Sequence, residues 1–506
     1  MNKKDLMLPV LSGILMFLSF PQIAFSIAAF VALVPLLYVL RGKTPREGFA
    51  AGALAGFIGN IGILYWVTFV VVEYGYLPVY AGLSAMLALA AFLSLYTGLF
   101  AAALTWFRGR GIPDILTAPF LWTSIEYGRS HLLTGFPWEN LGYSQYLNTC
   151  LVQIADITGT YGITFFIIFI NVVICDILTI RNLRNKALLA EMIAGIALLL
   201  SITGYGYYRA GVIEQAFKGR PAKEILIVQG NIDQSIKWDP GYQRATVDIY
   251  RCLSLQGLRP QADLIVWPET ATPFYYQDVN DLHRDVRDVA VRSGSHLLFG
   301  SPSYVLDGRK QHVQNSAFIV SPEGRIEGKY DKVHLVPFGE YVPLRSVFPF
   351  MGKLIAGVGD CLPGKSFTPL PTGGVKIGVL ICYEGIFPEI AREYLRNGSN
   401  LLVNITNDAW FGRSSAPYQH LSMVTLRSIE NRIYTVRAAN TGISAIIDPL
   451  GRIVAKTGLF QRTTLSGRVY LSGGQTFYAK HGDIFVYGCF SILVLVALIT
   501  GRRRKK

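Results

Sequence analysis

Three short stretches of this chain put reactive side-chain types where a folded strand would end. Asp263-Leu-Ile-Val-Trp-Pro-Glu269-Thr reads as a buried strand stopped by proline, with a carboxylate at its carboxyl end. Tyr330-Asp331-Lys332-Val-His-Leu-Val-Pro-Phe-Gly-Glu340-Tyr341 carries a lysine and a second carboxylate in a loop broken by Pro and Gly. Val375-Lys-Ile-Gly-Val-Leu-Ile-Cys382-Tyr383-Glu384 runs an apolar strand straight into a cysteine. Ligands collect at such strand ends in α/β folds. Taken singly, each stretch also has a plain reading: a solvated loop glutamate, a surface lysine, a cysteine acting as a small buried hydrophobe.

Taken together, the residue types fit acyl transfer through a thiol. Only the thiolate attacks well, so Cys382 needs a neighbouring base. Glu269 is the candidate to take the proton, with Glu340 and Glu384 as neighbouring carboxylates that tune it. Attack on an ester carbonyl develops an oxyanion, which the Lys332 ammonium and the backbone N–H of Tyr383 would stabilise. Departure of the leaving group gives a thioester on Cys382, and an attacking amine converts it to an amide. An ester donor is already reactive toward a thiolate, so neither a metal nor a nucleotide cofactor is implied.

The order and local wording of Trp-Pro-Glu269-Thr, the Lys332–Tyr341 stretch and Ile-Cys382-Tyr-Glu384 resemble the Glu-Lys-Cys signatures of the nitrilase superfamily over residues 224 to 471. That resemblance implies an α-β-β-α sandwich and chemistry on amide-type bonds. With its flanking helices, the whole chain resembles the lipoprotein-acylating bacterial members of that superfamily. Further segments match their pattern: Val228-Gln-Gly-Asn231 with Trp238, Thr406-Asn-Asp-Ala-Trp410-Phe-Gly412, and Arg437-Ala-Ala-Asn440-Thr-Gly-Ile-Ser444. The resemblance implies a phospholipid acyl donor and a diacylglyceryl apolipoprotein acceptor. It also points to Asn231, Trp238 and Trp410 as substrate-binding residues. Two rival functions are a membrane-tethered amidase with water as acceptor and a non-catalytic transporter. The many helices tell against the first, since one suffices as a tether. The scarcity of ionisable groups in the apolar runs tells against the second.

The elements that must position these residues are of two kinds. The chain has 506 residues, 51% of them hydrophobic and 16% charged, against about 25% charged in an ordinary soluble domain; its mean hydropathy is +0.36. Apolar runs fall at 6–20, 23–40, 48–72, 78–106, 112–131, 160–179, 187–207 and 484–500. The expected architecture is a membrane bundle of about eight helices carrying an extracytoplasmic α/β domain, with helices in 1–209, the catalytic domain in 210–483 and a last helix with a basic tail in 484–506. The first two runs meet at Phe20-Pro21-Gln22 and read as a tight helical hairpin, uncleaved although Lys3 and Lys4 precede an apolar run in the manner of a signal peptide.

The net charge of +14 suggests nucleic acid, but the placement of the basic residues argues against it. They cluster between apolar runs at Arg41–Arg46, Arg108–Arg110, Arg181–Lys186 and Arg502–Lys506, whereas loops near Glu73 and over 132–159 are poor in them. By the positive-inside rule these clusters face the cytoplasm and contact anionic membrane lipids. Residues 210–483 then lie outside it, in the periplasm if the chain spans a bacterial inner membrane. A monomer is expected.

Within 210–483, strands are expected at 224–229, 263–267, 296–300, 316–320, 375–381, 400–405, 434–439 and 443–448, and helices at 243–257, 280–293, 388–397 and 418–433. Gly359-Asp-Cys-Leu-Pro-Gly364-Lys365-Ser366 fits a phosphate-loop pattern, but Pro363, Pro369 and Pro371 prevent the helix that such a loop must open. His334 and His420 raise a Cys–His arrangement; a loop-supporting role for His334 fits its place beside Lys332. The six cysteines show no CxxC spacing; a disulfide among Cys150, Cys252 and Cys361 is one option and reduced thiols the default, while Cys175 and Cys489 read as helix packing. Phe348–Val358 is apolar for a loop and fits either a packed insertion or an acyl-guiding lid. Trp138 lies in a loop at the expected membrane boundary, where it either anchors the interface or lines the lipid entry.

Overall fold

The computed structural model describes residues 3–180, 185–257, 261–308, 310–342 and 361–503. The apolar stretch 348–358 lies outside them. The chain divides into two compact units, Met1–Gly211 with His481–Lys506, and Val212–Lys480.

The first unit is helical. It holds α1 (Lys3–Leu18), α2 (Val34–Val39), α3 (Pro45–Leu64), α4 (Trp66–Glu73), α5 (Val79–Arg108), α6 (Ala118–His131), α7 (Ala155–Thr158), α8 (Thr160–Thr179), α9 (Lys186–Phe217), which runs on into the second unit, and at the other end of the chain Ile484–Arg503. Helices α3, α5, α8 and α9 are long and apolar enough to cross a membrane by length and composition. Thr44 opens α3 with a capping box to Glu47, and Pro45 fills its first turn. Gly52 and Gly56 let α3 approach α5 closely: a Cβ at Gly52 would stand 2.4 Å from the Thr97 carbonyl oxygen, and one at Gly56 would stand 2.7 Å from Thr97 Oγ1.

Two of the apolar runs are broken where a continuous helix was expected. The run 23–40 forms a 3-10 turn at Ser26–Phe30 followed by the short α2, which begins at Val34 with Pro35 in its first turn. Asn171 of α8 satisfies the break: its Oδ1 accepts from Leu33 N at 2.8 Å and its Nδ2 donates to Ala29 O at 2.8 Å. In an apolar bundle, backbone groups freed from a helix need such a partner. The run 48–72 likewise bends at Tyr65 into α3 and α4. The expected hairpin of the first two runs is present, with Leu36 N donating to Ser12 Oγ of α1 at 2.9 Å.

The second unit contains β1 (Ala222–Gln229), α10 (Gln243–Gln256), β2 (Leu264–Val266), α11 (Asp281–Ser293), β3 (His296–Asp307), β4 (Lys310–Val320), β5 (Ile326–Asp331), β6 (Leu370–Thr372), β7 (Val375–Ile381), α12 (Pro388–Arg396), β8 (Leu401–Thr406), α13 (Ala416–Asn431), β9 (Thr435–Ala439), β10 (Ala445–Ile447), β11 (Ile453–Lys456), β12 (Thr463–Tyr470) and α14 (Phe477–His481). They form two six-stranded sheets, ordered β12-β1-β2-β3-β4-β5 and β11-β10-β9-β8-β7-β6. β1, β2 and β3 are mutually parallel, as are β7, β8 and β9. Parallel strands covered on both faces read as unbroken apolar runs, which is what Ile225–Val228 and Val379–Ile381 are.

Alternation along the strands builds the layers. Leu226, Val228, Ile265 and Trp267 pack with Val247, Tyr250, Val286 and Val289 of α10 and α11. Their neighbours Ile225, Ile227, Leu264 and Val266 are equally buried on the opposite face. There the two sheets meet: a Cβ on Gly467 would stand 2.6 Å from Ile446 Cδ1, and Ser444 Oγ donates to Gln229 Oε1 at 2.6 Å. The four expected helices appear within two residues of their bounds. Asn280 caps α11 through His283 N at 2.8 Å, and Gly294, with φ +63°, ends it. Sequence reading missed β5, β6, β11 and β12. Their patterns are short or mixed, as at the sheet edges in β11 and in β12, where exposed and half-buried residues alternate. It also shortened the β3–β4 hairpin, whose far half is exposed.

Candidate active site

The carboxyl ends of the parallel strands converge. Glu269 follows β2 across Trp267-Pro268, Cys382 follows β7 directly, Asn407 follows β8 and Asn440 follows β9. Lys332 follows β5 in the first sheet. Gly300 of β3 makes room for the Glu269 turn: a Cβ there would stand 2.4 Å from Thr270 N and 2.6 Å from Glu269 Cα.

Lys332 is buried, with Nζ 2.9 Å from Glu340 Oε2 and 3.6 Å from Glu269 Oε1. Burial alone would lower its pKa, but the carboxylates of Glu340 and Glu269 outweigh that and hold the ammonium charged. Glu269 Oε2 accepts from Asn407 N at 2.9 Å, and its Oε1 accepts from Asn315 Nδ2 at 2.7 Å. Glu340 Oε2 accepts from Val336 N at 2.8 Å, which closes the loop on itself.

Cys382 opens a 3-10 turn with φ +51°, a left-handed conformation that a non-glycine residue keeps only when its surroundings enforce it. Two groups do so. Asn404 Nδ2 donates to Leu380 O at 2.9 Å, and His420 Nε2 lies 3.1 Å from Cys382 O. Behind His420, Asp408 takes Arg437 Nη2 at 2.7 Å and Thr406 Oγ1 at 3.0 Å, and Arg437 also donates to Asn404 Oδ1. Burial, then Arg437, lowers the His420 pKa, against the pull of the Asp408 carboxylate. His420 Nδ1 lies 3.1 Å from Asp408 Oδ1 and 3.2 Å from Arg437 Nη2. His420 thus meets the Cys382 backbone carbonyl and supports the strained turn.

Burial pushes the Cys382 thiol up, Glu269 and Asp408 add to this, and Lys332 and Thr406 oppose it. The proton therefore has to leave toward a base as the sulfur attacks. Glu384 is pushed up to about 7 by burial, against the pull of its donors. Its oxygens accept from Tyr330 OH, Val333 N and His334 N at 2.8, 2.8 and 3.1 Å, and from Ile381 N at 2.8 Å. It ties the Lys332 loop to the strand that carries Cys382. His334, pushed down to about 4 by burial and by Lys332, stays neutral. Its ring packs on Phe387 with a centroid distance of 3.9 Å and on Tyr383 at 5.8 Å.

The structure brings Glu269, Lys332, Glu340 and Cys382 together, with Tyr383 and Glu384 next to them. Asn231, at φ +50°, donates its N–H to Asn440 O at 3.0 Å and shapes the turn after β1. Trp238 and Trp410 are exposed by 48% and 37%. Trp138, in the first unit, is buried, with its ring 5.0 Å from that of Trp66 and stacked on Phe136.

Sequence reading missed Asn315, Asn407 and Lys237. Lys237 is fully buried, and its Nζ donates to Glu269 O at 3.3 Å and Thr270 Oγ1 at 2.6 Å. Burial pushes it down to about 8, with Glu269 opposing. The available signals were a lysine next to Trp238 and an asparagine inside an apolar strand. The phosphate-loop look-alike serves this site as a strap: Gly364 N donates to Lys332 O at 2.8 Å and Cys361 N to Glu340 O at 2.9 Å, and no helix follows it in 361–369. Among the described residues no disulfide forms and no three His, Cys, Asp or Glu side chains cluster as metal ligands.

The paired sheets and the Glu-Lys-Cys cluster define a carbon-nitrogen hydrolase domain, and the family described as "Carbon-nitrogen hydrolase" matches residues 227–478. Residues 12–173 match the family described as "Apolipoprotein N-acyltransferase N-terminal domain". The chain is 46% identical to the "Apolipoprotein N-acyltransferase" of Geobacter metallireducens, over 99% of this chain and 96% of that one. It is 31% identical to the protein of the same name from Pasteurella multocida, over 96% and 94% of the two chains. The chain belongs to the apolipoprotein N-acyltransferase family. Among solved structures, a nitrilase-superfamily protein of Saccharomyces cerevisiae matches 49% of this chain and 90% of its own at 21% identity, with a TM-score of 0.37. A carbon-nitrogen hydrolase of Helicobacter pylori matches 54% and 94% at 17% identity, with a TM-score of 0.38.

Proposed function

We propose that this enzyme transfers a fatty acyl chain from a membrane phospholipid to the free α-amino group of an apolipoprotein's diacylglyceryl-modified N-terminal cysteine. The observation that carries this reading is a strained, buried Cys382 beside Glu269 and Lys332, in a chain of this family. Glu269 takes the thiol proton as sulfur attacks the ester carbonyl. Lys332 and the Tyr383 N–H stabilise the oxyanion. The carbonyl re-forms, the C–O bond breaks, and Glu269 returns the proton to the departing lysophospholipid oxygen. The acceptor amine then attacks the thioester, its proton passes through Glu269 to the leaving sulfur, and an amide remains. Trp238 and Trp410 offer apolar faces to the lipids, Asn231 shapes the turn beside them, and Trp138 contributes to lipid binding in the helical unit.

The same proposal sets residues 1–209 and 484–506 in a bacterial inner membrane with eight crossings and a cytoplasmic tail. Residues 210–483 are then a periplasmic catalytic domain, working as a monomer. The clustered basic loops support this orientation. Reporter fusions at residue 300 and at residue 506 are expected on opposite sides; the same side for both sinks the topology. The activity is tested by incubating the enzyme with phospholipid and a diacylglyceryl peptide that has a free N-terminus. One acyl mass on the peptide amine with release of lysophospholipid supports the reading. Free fatty acid with no acylated peptide identifies water as acceptor and overturns it.

A further inference from the structure

Asn315 lies on β4, outside all three catalytic motifs, yet it bonds both carboxylates that flank Lys332 and the Lys332 backbone. Its Nδ2 donates to Glu269 Oε1 at 2.7 Å and to Glu340 Oε1 at 2.8 Å. Its main-chain oxygen accepts from Lys332 N at 2.8 Å. Its Oδ1 is buried without a hydrogen-bond partner among the described residues. Rotating the amide to satisfy that oxygen would aim it at two carboxylates, so their charges fix the orientation.

The electrostatics give this contact its purpose. One buried ammonium, Lys332, serves two carboxylates at 2.9 and 3.6 Å. Two acids sharing one cation tend to retain a proton between them. A second cation on the carboxylate oxygens would quench the base, whereas a neutral amide with two N–H groups supports both charges and adds none. We propose that Asn315 is a positioning residue that holds the Glu269 and Glu340 carboxylates apart on a single lysine, so that Glu269 is open to the thiol proton of Cys382. This rests on the reading of Glu269 as the base. The other charged groups around Glu269 are Lys237 at its main-chain oxygen and, through Cys382 and Lys332, Asp408 and Glu384.

The test is the pH dependence of acyl loading from phospholipid in a single turnover. Asn315→Asp keeps the shape but exchanges the two-donor amide for a third carboxyl. The acidic limb of its rate profile is expected to move up by about one pH unit or more. Rate should return toward alkaline pH, with the phospholipid requirement unchanged within about twofold. Asn315→Ser removes both donors without adding charge and should move the limb in the same direction by less. A uniform loss at every pH with the limb unmoved leaves only a packing role and overturns the proposal, as does normal loading in Asn315→Asp. If the aspartate variant does not fold, the serine variant decides by the same criterion. Glu269→Gln is run alongside: normal loading there removes the base assignment itself, whatever the Asn315 variants do.

Discussion

Lys332 Nζ stands 2.9 Å from Glu340 Oε2, closer than to any oxygen of Glu269. The lysine is thus neutralised chiefly by a residue that need not react. Glu340→Gln keeps the side-chain shape and removes that anion. Lys332 is then drawn to Glu269 and competes with the thiol proton for it. Acyl loading is expected to fall about 10–100-fold, the usual cost of losing an orienting partner. Unchanged single-turnover loading would show that Glu340 is a bystander.

Lys332 itself separates a point charge from a fork. Its ammonium fits between two carboxylates and interacts electrostatically with Cys382. Arginine keeps the charge but spreads it over a wide plane. Lys332→Arg should therefore fail nearly as badly as Lys332→Ala, each losing about 10²–10³ in rate. Near-normal turnover in the arginine variant would remove Lys332 from the oxyanion site.

The strap at 361–366 gives a third expectation. Gly364 passes so close to the Lys332 loop that a Cβ would stand 2.1 Å from Asp331 O. Gly364→Ala must push the strap away and break its hydrogen bond to Lys332 O. Loading should drop and the second unit should lose about 2 kcal/mol of stability. Lys365→Ala, by contrast, should load and turn over normally, because no phosphate is held there. Tight nucleotide binding that Lys365→Ala abolishes would reverse this.

What could be read from the sequence was what is local. Glu269, Lys332 and Cys382 each sit at the end of a strand or just past it, marked by Pro, Gly or an apolar run, so their strand ends were legible. The buried strands β7 and β8 and all four amphipathic helices were legible for the same reason. Asn315, Asn407 and His420 were not. Their roles come from which strand lies beside which, and nothing within a few residues of them records that register. Glu384 looked like a third carboxylate near the nucleophile; its four donors make it a clamp between two loops. The helical unit hid its breaks similarly. A run such as 23–40 looks continuous until Asn171, far along the chain, satisfies the freed backbone.

Lys237 yields a prediction in pH. Burial pushes it down to about 8 in the folded protein, whereas an exposed lysine in the unfolded chain titrates near about 10.4. Between these values the unfolded state binds more protons, so stability rises with pH there. The penalty is fully present below the folded value and relieved above the unfolded one, about 3 kcal/mol in all. Lys237→Met lacks this gain. Thermal unfolding of the two proteins should therefore diverge in favour of the wild type from mildly to strongly alkaline pH. Parallel curves would mean that Lys237 is charged in the fold throughout.

The last expectation concerns how one site serves two bulky lipids. A donor ester and an acceptor amine cannot both crowd the sulfur of a buried Cys382, so the acyl group must wait on the enzyme while the first lipid leaves. Enzyme given phospholipid alone should gain one acyl mass on Cys382 and release one lysophospholipid. Hydroxylamine should strip that mass, because it cleaves a thioester and spares an amide. Cys382→Ala should carry no added mass. Cys382→Ser should show little turnover, since a hydroxyl holds its proton far more tightly than Glu269 can match, and any ester formed is a poorer acyl donor. Glu269→Gln should also fail to load, for want of a proton acceptor. Mass spectrometry of the intact protein and of its peptides reads all five. An adduct on another residue, or normal turnover in Cys382→Ala, would overturn the assignment of the nucleophile.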